Sequence, residues 1–189
     1  MKLLVNFHGA TGAGKSAMAA GLFAYLRWAG VSCELVTEFA KDKVWEESIK
    51  SLDDQIYVFG EQMHRVNRLK NKVDIVITDS PSLNSIVYYA GQHQNLFFSL
   101  VRTVERSFNS LDVFVKRAHA YDAVGRYHTE EQTSEIDKLI EEQLSIIGKE
   151  PIILHSCENN VKKLALAIIS SVPDYNLQSM ITAINNQRS

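Results

Sequence analysis

Apolar positions along the chain fall into two alternating rhythms. Short continuous runs, "KLLVNF", "VSCELVTE", "VDIVITDS", "LDVFVKR" and "PIILH", read as five buried strands. Stretches with helical spacing lie between them. "KSAMAAGLFAYLRWAG" is a helix closed by Gly30, and a helical stretch follows from about Lys41 to Lys50. "SLDDQIYVFGEQMHRVNRLKNK" sets Ile56, Phe59, Met63, Val66 and Leu69 on one helical face. Pro81 suits the first position of a helix covering Leu83 to Tyr89, and another runs from Leu96 to Ser107. "TEEQ", Thr129 to Gln132, is a capping-box pattern opening a helix to Gly148. A helix from about Asn160 to Ser171 and an amphipathic stretch from Leu177 to Asn185 complete the pattern. Strands alternating with helices predict a five-stranded parallel sheet covered on both faces. Ala118 to His128 lacks apolar periodicity and reads as a loop.

Length and composition narrow this further. A chain of 189 residues fits one domain spanning 1–189, with a lid loop at about 116–128 and a C-terminal helical stretch at about 159–187. Hydrophobic content of 46% with 22% charged residues is ordinary for a globular protein. The first apolar run ends at Phe7, too short for a secretory signal, and no run is long enough for a membrane span. A soluble, cytoplasmic protein without membrane partners is therefore expected. The formal charge of −2 carries no basic footprint, which weighs against nucleic acid as a partner. Cys33 and Cys157 have no metal or redox spacing and read as reduced thiols. His8, His64, His93, His119 and His128 likewise show no ligand spacing.

The candidate chemistry starts in "GATGAGKS". Gly9, Ala10, Thr11, Gly12, Ala13, Gly14, Lys15 and Ser16 match G-x-x-x-x-G-K-[ST] between a strand and a helix that continues through Ala17. Glycines in such a loop let backbone N–H groups converge on phosphate oxygens at a helix N-terminus. Lys15 would bridge the β- and γ-phosphates of ATP, and the Ser16 hydroxyl would ligate Mg²⁺. The same letters also hold "GAGKSA", a dinucleotide fingerprint with Glu38 as its ribose acid. Four residues separate the strand from Gly12, and Lys15 has no role there, so the triphosphate reading is preferred.

Acids at strand ends should face the bound phosphates, because open α/β sheets bind ligands at that edge. Asp79, closing "DIVITD", is expected to organise the metal, or else to cap the next helix. Glu38 can take a proton from an attacking hydroxyl or position a second ligand; a solvated strand-end carboxylate is the plain alternative. Arg117 and Arg126 bracket a loop containing Gly125, as expected of a lid that neutralises charge on a transferring phosphoryl group. Gln62 and Arg65 share a helix face and can meet a base and a phosphate or sugar, or form a solvated stripe.

With "GATGAGKS", "ELVTEFAKD", "DQIYVFGEQMHR", "DIVITDSP" and "GRYHTEEQTSEID" together, residues 1–150 resemble a family of small bacteriophage P-loop kinase-like proteins, usually labelled AAA-type ATPases or nucleotide kinases. More distantly the chain is similar to deoxyribonucleoside and ribosylnicotinamide kinases. The resemblance implies a P-loop NTPase three-layer α/β/α sandwich, and roles for Glu38, Gln62, Arg117 and Arg126 toward an acceptor. It departs from the deoxyribonucleoside kinases at Ser80, where those carry an arginine. No sensor domain of a full AAA+ machine is expected in the stretch after His155, so the label is expected to describe the loop only. The expected activity is ATP-dependent phosphoryl transfer to a nucleoside, a nucleotide or a related small metabolite, in host cytoplasm if the source is a phage. A kinase acting on a hydroxyl of modified phage DNA, and an ATP-hydrolysing regulator, are the alternatives. Acceptor identity, ATP versus GTP preference and oligomeric state stay open.

Overall fold

The computed structural model describes residues 1–117 and 130–171. The segment with Gly125 and Arg126, the Thr129 cap and the stretch Leu177–Asn185 lie outside the described residues. Five strands form one parallel sheet: β1 (Leu3–His8), β2 (Cys33–Val36), β3 (Ile75–Thr78), β4 (Ser110–Lys116) and β5 (Ile152–His155). Their order is β2-β3-β1-β4-β5, with β1 at the centre. Parallel strands buried on both faces need apolar side chains at nearly every position, which is why the strand runs lack alternation.

Helices cover both faces. Leu3, Val5 and Phe7 of β1 pack on α1 (Lys15–Trp28) and α7 (Glu158–Ser170) through Met18, Leu22, Leu26, Val161, Leu164 and Ile168. Leu4, on the opposite pleat, belongs to a second core with α3 (Gln55–Asn67), α4 (Asn84–Tyr88), α5 (Gln94–Arg106) and α6 (Glu130–Ile146), contributed by Phe59, Met63, Ile86, Phe97, Val101, Ile136 and Ile140. The expected three-layer α/β/α sandwich is therefore present.

Several expected boundaries move. The second strand ends at Val36, so Glu38 is not in the ladder; it is the residue before α2 (Phe39–Trp45), in extended conformation at φ −62° and ψ 120°. The stretch expected as one helix from Lys41 to Lys50 divides into α2 and a 3₁₀ turn at Ile49–Asp53. Pro81 does not open a helix; a turn at Ser82 and Leu83 intervenes before Asn84. Of the face expected for α3, Phe59, Met63, Val66 and Leu69 pack on the core, with Ile56 as the exception. Val58, Phe59, Met63 and Val66 are buried and carry Gln62 inward with them, 4% exposed, whereas Ile56 points outward at 56%. Asp54 fixes that start, its Oδ1 accepting from the N–H groups of Ile56 and Tyr57, each at 3.1 Å.

Candidate functional site

The loop from Gly9 to Ser16 turns off the end of β1 and opens α1. Two glycines there are obligatory. Gly9 has φ +128°, and a Cβ on it would come within 2.9 Å of the Val115 carbonyl of β4. Gly14 precedes α1 at φ +98°, and a Cβ there would collide with the Ser156 side chain beyond β5. The loop is thus seated against the ends of β4 and β5.

Its polar groups engage the rest of the chain. Lys15 Nζ donates to the Ala10 carbonyl at 3.0 Å. The Ala10 N–H donates to Asp137 Oδ1 of α6 at 2.6 Å. Tyr88, the last residue of α4, is hydrogen-bonded with the Thr11 hydroxyl, and burial pushes its phenol up to about 12. Burial also raises Asp137, partly offset by the Ala10 N–H and by Lys116 and Lys15.

Glu38 stands in the field of Lys15 and of Asp79, which brings the ends of β2, β3 and the loop into one locus. Burial raises its carboxyl above the usual range, and the repulsion of Asp79 adds to that against the pull of Lys15. Asp79 is 4% exposed just past β3, and its Oδ1 has no hydrogen-bond partner among the described residues. A buried carboxylate oxygen left unsatisfied suits a metal ion brought in with a nucleotide. Mg²⁺ takes oxygen ligands and keeps several waters, so Asp79 and the exposed Ser16 hydroxyl are a donor set that fits it. Among the described residues no cluster of three or more His, Cys, Asp or Glu side chains forms a separate metal site.

The remaining expected site residues lie differently. Gln62 accepts from the Phe39 N–H at 2.9 Å through Oε1, and Nε2 lies 3.4 Å from both the Thr37 carbonyl and Thr78 Oγ1. It pins the backbone on either side of Glu38 rather than forming a solvated stripe. Arg65 is ion-paired with Asp42 Oδ2 at 2.6 Å and lies over the Phe39 ring. Arg117, just past β4, donates to Thr133 Oγ1 of α6 at 3.1 Å.

Sequence reasoning missed Tyr88 and Asp137. Nothing near either signals a ligand; Asp137 meets a residue 127 positions away. It also missed a buried polar network directly beneath the loop. Asn6 Nδ2 donates to Glu105 Oε1 at 2.7 Å and to Asp112 Oδ1 at 3.0 Å. His8 Nε2 lies 2.8 Å from Asp112 Oδ1, Lys149 Nζ lies 3.1 Å from Asp112 Oδ2, and Ser82 donates to Glu105. Burial would raise both acids. It prevails at Glu105, while His8, Lys149 and Asn6 overcome it at Asp112 and hold that group well below the carboxylate range. The network ties the residue before Gly9 to the turn after Asp79.

No helix among the described residues is long and apolar enough to cross a membrane. No curated protein matches the chain. The family model described as "AAA domain" matches residues 4–160, which include all of the sheet but Leu3, the phosphate loop and both Glu38 and Asp79. The chain belongs to this AAA-domain family of P-loop proteins, whose loop points to nucleotide binding.

Proposed function

We propose that the protein is an ATP-dependent phosphotransferase that moves the γ-phosphoryl group to a nucleoside, a nucleotide or a related small metabolite. The observation that carries this reading is Glu38, half-buried beside Lys15 and Asp79 with its proton affinity raised by burial. A carboxylate so tuned is suited to general-base work on an acceptor hydroxyl. Gln62 holds the backbone of Thr37 and Phe39, and so sets where the Glu38 side chain starts.

In this reading the loop amides and Lys15 orient the triphosphate, and Ser16 and Asp79 would hold Mg²⁺. When bound, the metal supplies charge neutralisation on the phosphate oxygens. Glu38 takes the proton from an acceptor hydroxyl; toward an acceptor that is already a phosphate it would hold the sugar. Arg117 exchanges Thr133 for the transferring group, with Arg126 acting from the same connection. Arg65, already paired to Asp42, serves the acceptor through the α2–α3 wall.

The test is incubation with γ-labelled ATP·Mg²⁺ and a panel of nucleosides, mononucleotides and DNA, with every labelled product resolved. A labelled acceptor that disappears in Glu38→Gln supports the reading. Label appearing only in inorganic phosphate, equally in both proteins, overturns it. The AAA-domain match favours a second reading, an ATP-hydrolysing regulator, which that last outcome would select.

A further inference from the structure

We infer that the Asp137 carboxylate is a phosphate stand-in: it occupies the Ala10 amide of the phosphate loop until the terminal phosphates of a nucleotide displace it, so that α6 is released when the loop fills. The inference rests on the nucleotide-binding reading of the loop, not on any particular acceptor.

Ala10 N–H donates to Asp137 Oδ1 at 2.6 Å, a charge-assisted contact between segments 127 residues apart. The same residue's carbonyl holds Lys15 Nζ at 3.0 Å. One backbone amide of the loop and the loop's lysine ammonium are therefore both engaged by the protein's own groups. A triphosphate brings three or more negative charges to this cradle. It cannot share the Ala10 amide with an ionised carboxylate without like-charge repulsion in a partly buried site.

The contact belongs to a continuous face. Thr133, Asp137 and Glu141 follow at i, i+4 and i+8 on α6 and so lie in one line. Thr133 accepts from Arg117 at 3.1 Å, and Glu141 Oε1 pairs with Lys116 Nζ at 2.8 Å. One helix face thus holds a loop amide and the two cations at the carboxyl end of β4. Displacing Asp137 loosens the grip on Lys116 and Arg117 when a polyanion arrives that both can serve. Tyr88 of α4, bonded to Thr11, braces the next loop residue from a helix packed on α6.

The rival account is a fixed strut in which Asp137 keeps Ala10 oriented while nucleotide is bound. The two accounts predict opposite signs. A competing latch that is closed nine-tenths of the time weakens apparent affinity about tenfold, and removing it restores that factor. Calorimetric titration of the full chain with ATP·Mg²⁺ and with inorganic tripolyphosphate should show Asp137→Ala binding about tenfold tighter than wild type. Asp137→Asn, which keeps an acceptor oxygen without the charge, should tighten binding less. Unchanged or weaker binding in both variants overturns the inference. A second readout guards against a damaged fold: on adding tripolyphosphate the Ala10 amide resonance in wild type should move to the position it takes in tripolyphosphate-loaded Asp137→Ala. A resonance that stays put with saturating ligand overturns it too. Neither readout involves phosphoryl transfer, so a protein that binds ATP but labels no acceptor would sink the kinase reading and leave this one standing.

Discussion

Glu38 carries the sharpest residue-level expectation. Its folded pKa is raised, so the ionised base forms only at a pH above the ordinary glutamate range. Phosphoryl transfer to a hydroxyl should therefore rise with pH along an acid limb displaced upward from that range, and kcat/KM is the quantity that reports it. Glu38→Gln should remove the limb and lower turnover by about 10²–10⁴, with ATP affinity within a few-fold of wild type. Asp79 makes a different demand. Its buried, unpartnered Oδ1 should be completed by the metal, so Asp79→Asn should raise the Mg²⁺ concentration for half-maximal turnover by about tenfold or more. Titrating Mg²⁺ at saturating ATP measures this, and an unaltered midpoint would return Asp79 to a packing role.

At the scale of elements, the buried network on β1, β4 and α5 makes a prediction about stability. Glu105 has a raised folded pKa, so its contribution is present below the unfolded value and is lost as pH rises through the folded one. Asp112 has the opposite sign, its contribution lost as pH falls through its depressed value. Glu105→Gln keeps an oxygen for Asn6 and a polar partner for Ser82 but removes a buried charge beside Asp112. Chemical denaturation should find this variant within about 1 kcal/mol of wild type at neutral pH, or more stable. Its stability should gain less than the wild type's as pH is lowered toward the carboxylate range. Glu105→Ala, which leaves Asn6 and Ser82 without that partner, should lose about 2–4 kcal/mol. The same network marks where sequence reading stops at this scale. The strand "LLVNFH" was legible because parallel strands are apolar throughout, but Asn6 and His8 give no sign of partners a hundred residues on. In α3, Phe59, Met63 and Val66 turn inward as expected, and only the edge of the stripe differs. Ile56 and Gln62 each fit a helical stripe, and only the packing of Val58 and Met63 decides which one turns inward.

For the molecule as a whole, the loop motif was legible because its glycines answer to local backbone geometry and its lysine to a ligand. Asp137 and Tyr88 were not, since each reaches the loop through tertiary packing of another helix. A nucleotide that binds only the folded form should stabilise the entire domain. At a hundred times its Kd, ATP·Mg²⁺ adds about 2.7 kcal/mol, worth roughly 5–10 °C in Tm for a domain of this size. Lys15→Ala should unfold at an unshifted Tm without ligand and show almost none of that rise with it; a full rise in the variant would overturn the phosphate-loop reading. The central position of β1 also has a consequence during synthesis. Its ladder partners begin at Ile75 on one side and Ser110 on the other, and Gly9 leans on Val115. At about 5–20 residues per second, the ribosome makes the phosphate loop on the order of ten seconds before it makes the strand that supports it. The nascent chain therefore carries an exposed apolar strand and a glycine-rich segment with no anion cradle. Nucleotide cannot template the early steps of folding, and only the nearly complete sheet can capture it.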